Sequence, residues 1–323
     1  MGLKSLGYSP TTYEDVYSGT GPFANILYWY GPRGVFAGGS AASPYVTTMD
    51  YVTIATTGNA TSFGALAGGR QYSCSVSDSD RGVFPGGDGH CGGKCNLIDF
   101  IVIATTGNST TFGHLGEGGR EAPAGCSNGI KGFIMGGQNA SYTYVNYIQY
   151  INIQSQGVSR DWGDLTEAKK NGAAWNNSNR GIHVGGLDGS SNKNVIEYFN
   201  MDSASNASDF GDMTTATYML AACGDRDRLC YGGGTTASAD QIDTVEYIQM
   251  ATTGNATDFG NLTVETARDG AFSNGPRGVF GGGQIDSSRH NTVGYITIAT
   301  TGNATDFGDL SQSRAGLWGV SGG

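Results

Sequence analysis

Apolar and polar residues alternate along this chain in short runs, as in Val245-Glu246-Tyr247-Ile248-Gln249-Met250, and never recur at the spacing of a helix. Period-2 alternation rich in β-branched and aromatic side chains predicts strands throughout. The runs repeat. A basic residue, an apolar strand and a Gly-Gly doublet begin at Arg33, Arg81, Lys131, Arg180, Arg228 and Arg277, at steps of 48 to 50 residues. An aromatic pair 12 residues apart follows in each copy: Tyr51/Phe63, Phe100/Phe112, Tyr150/Trp162, Tyr198/Phe210, Tyr247/Phe259 and Tyr295/Phe307. A period near 50 marks a repeat architecture before any single motif is considered.

Each copy reads as four short strands: a small-residue run, the RGVFxGG segment, the alternating segment and a brief TDFGxL. Thr-Gly-Asn-Ala between the third and fourth strands predicts a tight hairpin whose Gly-Asn pair takes positive φ. Gly-Gly ends the second strand where the backbone bends or packs closely. The paired aromatics are large enough to fill the wedge between neighbouring sheets, a face that one four-stranded sheet cannot bury alone. First-strand sequence occurs at both ends, in residues 23–30 (FANILYWY) and 314–320 (RAGLWGV). A six-membered ring has room for one of them. The C-terminal segment is expected to close the first sheet by pairing with residues 33–39, because Arg314 and Gly316 keep the repeat's own pattern.

A basic residue, a strand ending in Gly-Gly, a Tyr and a second aromatic 12 residues on resembles the kelch repeat of β-propellers. The resemblance covers residues 23–323 and implies an all-β fold, a six-bladed kelch-type propeller with four antiparallel strands per blade. Phe stands in five of the six places where kelch has Trp; Trp162 alone keeps it. The ATTGNATDFG wording of the copies is also similar to kelch-like propellers of tailed bacteriophages, which implies a virion or tail-fibre component. Residues 1–22 stand outside the repeat and are expected to be an attachment segment.

Composition narrows the function. The 323 residues include 55 Gly but only 7 Pro, and carry 18 basic against 28 acidic residues, a net charge of −10. Such a surface repels nucleic acid and anionic membranes, so neither is an expected partner. No apolar stretch reaches the length of a membrane helix, and the first residues lack the apolar core of a signal peptide.

The chemistry-bearing motifs dissolve into the repeat. Asp-Phe-Gly at Asp209, Asp258 and Asp306 would need a phosphate loop and a catalytic loop to act as in a kinase, and neither is present. The sequons at Asn59, Asn108, Asn206, Asn255 and Asn303 share one place in the blade and read as turn residues. His90, Cys91 and Cys95 lack a fourth zinc ligand, leaving a small disulfide or two free thiols. Cys223 and Cys230 are expected to face each other across a hairpin, whereas Cys74 and Cys126 read as buried thiols. The basic ring Arg33, Arg81, Lys131, Arg180, Arg228 and Arg277, and a second set Arg70, Arg120, Lys169, Arg268 and Arg314, could bind anions at a propeller mouth. With Asp161, Asp164, Asp209, Asp212, Asp258, Asp306 and Asp309 also recurring, ion pairs between blades are the expected use. His90, His114, His183 and His290 form no repeated set. No catalytic, cofactor or metal residue is predicted, and no enzyme, because chemistry needs different groups in different roles while this repeat is symmetric.

The copies differ most between the second and third strands, in loops rich in Ser, Asn, Asp and Tyr. Recognition on a repeat scaffold falls where the repeats vary. The expected function is a virion structural protein, in a larger assembly with other virion proteins through residues 1–22, and able to meet a host-surface glycan or protein through these loops. The alternative is an extracellular carbohydrate-binding or carbohydrate-acting propeller, of lectin or galactose-oxidase type.

Overall fold

The computed structural model describes residues 31–41 and 45–323. Residues 1–22 and 23–30, expected as attachment segment and as a spare first strand, lie outside them. Six antiparallel sheets of four strands follow one another as blades, and no helix occurs among the described residues. Blade four is typical, running Ala173–Asn176, Arg180–Val184, Val195–Asn200 and Ser208–Asp212 from innermost to outermost. The six innermost strands touch in a closed circle around an axis. The protein is a six-bladed β-propeller.

The ring closes through the C-terminus. Trp318–Gly322 pairs antiparallel with Arg33–Ala37, and Val320 lies opposite Val35. Blade one is therefore completed by the last residues of the chain, as expected, but over 318–322 rather than 314–320. Arg314 precedes the strand and has another task.

Six apolar clusters lie in the six seams between blades. One joins Val52 and Phe36 of blade one to Phe272, Val279 and Phe307 of blade six, with the Phe36 and Phe272 rings 4.6 Å apart. The repeated aromatic pairs meet edge to face, as Tyr51 and Phe63 do at 6.1 Å and 79°. Trp162, the second aromatic of the blade-three pair, also donates its indole N–H to the Asn200 carbonyl at 2.9 Å.

The Thr-Gly-Asn-Ala segment is not the expected positive-φ hairpin. Its asparagines do not adopt positive φ, and Gly58 and Gly302 lie close to extended at 158° and 157°. The segment instead runs along the outermost strand of the preceding blade. Gly107 and Ser109 donate to the Phe63 and Ala65 carbonyls, and Asn108 Oδ1 accepts from the Ala65 amide at 3.0 Å. Asn59, Asn206, Asn255 and Asn303 repeat this bond to Asp309, Asp164, Asp212 and Asn261. Each outer edge, which would otherwise offer unpaired N–H and C=O groups, is thus covered by its neighbour. The glycine of Asp-Phe-Gly serves the same contact. A Cβ on Gly260 would run into the Gly302 carbonyl, and one on Gly308 into the backbone at Gly58.

Candidate functional site

Two basic sets were candidates for an anion-binding mouth, and both are consumed by the ring. Arg33 lies over the Tyr51 ring of its own blade at 4.5 Å and donates to the Ile103 and Ala104 carbonyls of the next. Arg81, Arg180, Arg228 and Arg277 do the same, toward the Ile153, Met250, Ile298 and Ile54 carbonyls. Lys131 packs over Tyr150 and Trp162.

The second set needs a correction. The chain enters each new blade at Arg70, Arg120, Lys169, Thr217, Thr266 and Arg314, whose carbonyls all accept from the second glycine of a Gly-Gly doublet. The register therefore falls on Thr266, and Arg268 lies two residues further on. The partners differ as well. Arg70 meets Asp99 and Arg314 meets Asp50, each at 3.0 Å and fully buried, while Lys169 meets Glu197 at 2.5 Å. Arg120 donates to Gln149 Oε1 at 2.9 Å. The fourth-strand acids Asp161, Asp164, Asp209, Asp212, Asp258, Asp306 and Asp309 take no part in these pairs.

The buried acceptors Asp50, Asp99, Gln149, Glu197 and Glu246 stand in one third-strand column, where blade six has Gly294. Cation and acceptor vary together. Lys169 goes with the longer Glu197, and Thr266 with Gly294. Glu246, facing Thr217, accepts from the Tyr231 and Thr214 hydroxyls instead. Burial lowers the pKa of Arg70 and raises that of Asp99, and their mutual attraction opposes both shifts. His183, buried beside Glu197 and Lys169, is held neutral by desolvation, with its pKa well below the usual value.

Six residues in the left-handed backbone region surround the axis at the same end of the ring: Tyr72, Ala122, Asn171, Met219, Arg268 and Gly316, with φ between 53° and 68°. Each amide donates to the carbonyl of the residue one blade back. Tyr72 donates to Gly316 at 3.0 Å, Ala122 to Tyr72 at 2.6 Å, and so on round to Gly316, which donates to Arg268 at 2.7 Å. The result is a closed circle of six backbone hydrogen bonds. Beneath it lies a cavity of about 130 Å3, lined on its inner side by Ser75, Gly125, Ala174, Ala222, Ala271 and Gly319. That is below the few hundred Å3 typical of ligand pockets.

The variable loops form the outer face at this end, and they touch in a complete circuit. Tyr45 donates its hydroxyl to Asp88 at 2.8 Å, and Lys94 Nζ sits 3.8 Å from the Tyr142 ring centroid. Tyr144 packs at Gly189, and Asn192 donates to the Thr235 carbonyl. Asp286 donates its amide to Gln241, and Arg289 donates to Ser40. These loops make a crown of six joined segments. It is the candidate binding face.

The cysteines divide as their positions suggest. Cys91 and Cys95 form a disulfide within the blade-two crown loop. Cys223 lies opposite Cys230 in adjacent strands, both as free buried thiols. Burial pushes the Cys74 thiol up to about 12 and raises Cys126 as well. Among the described residues no group of His, Cys, Asp and Glu is placed to hold a metal ion. A scan against protein-family models finds no match, and a search of curated proteins finds none either.

Proposed function

We propose that this propeller is a kelch-like, non-enzymatic structural and recognition component of a tailed-bacteriophage particle. Residues 1–22 attach it to other virion proteins, and its crown faces a host-surface glycan or protein. One observation carries the reading: the segments that vary most between copies are joined into a single continuous face. The charged residues common to the copies, by contrast, are engaged inside the ring. A scaffold that keeps its shared charges for closure and its variation for one surface suits recognition rather than turnover. The wording of the repeat supports the particle assignment. The test is mass spectrometry of gradient-purified particles, with antibody labelling by electron microscopy. The protein should appear in stoichiometric amounts on the particle surface; its confinement to the infected cell's soluble fraction would contradict the reading.

A further inference from the structure

Three non-glycine residues among the described crown segments take positive φ, Tyr142, Ala239 and Asp286, and Tyr142 is the aromatic one. Tyr142 is 78% exposed and sits at φ +61°, a region costly for a bulky residue. The same turn, closed by an amide donating to the carbonyl three residues back, recurs at Gly92 in blade two and Ala239 in blade five. Among the described residues, only blade three places a large aromatic there.

Everything around Tyr142 holds it in place. Its amide donates to the Asn139 carbonyl at 3.0 Å, and its own carbonyl accepts from Gln138 Nε2 at 2.8 Å. Asn139 Oδ1 takes the amides of Ser141 and Thr143. Gln138 Oε1 accepts from Lys170, which pairs with Glu121 at 2.8 Å; Glu121 lies 4.0 Å from Lys94. Lys94 returns to the Tyr142 ring, so the network closes on itself. The disulfide Cys91–Cys95 brackets Lys94.

The surroundings name the class of ligand. Tyr142 is flanked by exposed Ala140, Ser141 and Thr143, and no other large apolar side chain of its loop, residues 138–146, is exposed. Across the seam, Gly92 and Gly93 leave open space where side chains would stand. A rigid aromatic face among amides, hydroxyls and bare backbone fits a sugar ring, which offers C–H groups to the aromatic face and hydroxyls to its surroundings. We infer that Tyr142 is the stacking platform of a saccharide site at the crown between blades two and three. This rests on the crown being a recognition face.

The test uses the full chain on an array of bacterial capsular and O-antigen saccharides, with Tyr142→Gly and a variant on the opposite face, Ile130→Ser, as comparisons. Wild type should bind a subset, Tyr142→Gly should lose at least tenfold in affinity, and Ile130→Ser should bind as wild type does. Because glycine relieves the left-handed backbone, Tyr142→Gly should melt at the same temperature or higher. A lower melting temperature would make Tyr142 a cover for Lys94 and overturn the inference. Equal saccharide binding by Tyr142→Gly would overturn this site while leaving the crown a glycan-binding face. No saccharide binding by wild type would overturn the saccharide assignment, whereas the protein's presence on particles is decided separately by the spectrometry above.

Discussion

Arg314 and Asp50 are separated by 264 positions in sequence, yet their charges meet at 3.0 Å, both fully buried, at the seam where the last residues of the chain complete the first blade. The pair has a natural counter-example in the same molecule. At the equivalent place entering blade six, Thr266 stands for the cation and Gly294 for the acid. Removing Arg314 leaves the Asp50 charge buried with Ser311 as its remaining side-chain partner, whereas removing both charges does not. Arg314→Thr alone should therefore cost about 3–5 kcal/mol. Adding Asp50→Gly should recover part of it, a coupling of about 0.5–3 kcal/mol in a double-mutant cycle read by urea unfolding. Additive losses would contradict the pairing.

Deleting residues 312–323 removes that cation together with the strand holding Trp318 and Val320. Blade one then lacks its innermost strand, and two apolar seams lose their seal. Circular dichroism should show no cooperative thermal transition for this variant. A sharp transition near that of the full chain would mean that closure lies elsewhere.

Close approach at the outer rim makes a paired prediction. Gly260 has φ +144° and faces the Gly302 carbonyl, while Gly254, in the Thr-Gly-Asn-Ala segment, has open space at its Cβ position. Gly260→Ala should destabilise by about 1–3 kcal/mol. Gly254→Ala should stay within about 0.5 kcal/mol. Equal effects would show that the blade edges are not held by this contact.

Asp269 gives a pH dependence of unusual sign. Its equivalents entering blades five and one are Leu220 and Leu317, and its buried carboxyl oxygens have no hydrogen-bond partner. Desolvation raises its pKa well above the usual value, so folding favours its protonated form. The unfolded chain ionises it near pH ~4, hence the unfolded state binds fewer protons above that pH, and this residue's contribution to stability falls as pH rises. Asp269→Leu should therefore stabilise the protein, with a gain in melting temperature that grows as pH rises above the ordinary carboxylate range. A gain independent of pH would contradict a buried protonated acid.

The repeat, the strand order and the six blades were legible because two markers recur at a fixed period. What misled was local chemistry with a non-local partner. Gly-Asn has the composition of a tight turn, but Asn108 bonds Ala65 in the blade before it, and that neighbour is invisible from the hairpin. Arg268 was grouped with Arg70 because both are basic residues just ahead of a first strand. Only the Gly-Gly amides donating to Arg70 and Thr266 reveal the two-residue offset. Aligning the third strands would have exposed the buried acceptor column, since Asp50, Asp99, Gln149, Glu197 and Glu246 interrupt otherwise apolar positions. The crown was legible as variation. Its joining into one face was not, because each contact links different residue types: Tyr45 with Asp88, Lys94 with Tyr142, Gln241 with Asp286.

The crown as recognition face is the central claim, and cell binding tests it most directly. Fluorescently labelled full chain should bind a subset of bacterial strains in flow cytometry. Replacing residues 139–143 and 188–192 with Gly-Ser segments of equal length should abolish that binding while the melting transition stays cooperative. Altering the opposite face, for instance by Ile130→Ser at its 70% exposed position, should leave binding intact. Undiminished binding by the crown-replaced protein, or loss of binding on Ile130→Ser, would contradict the account.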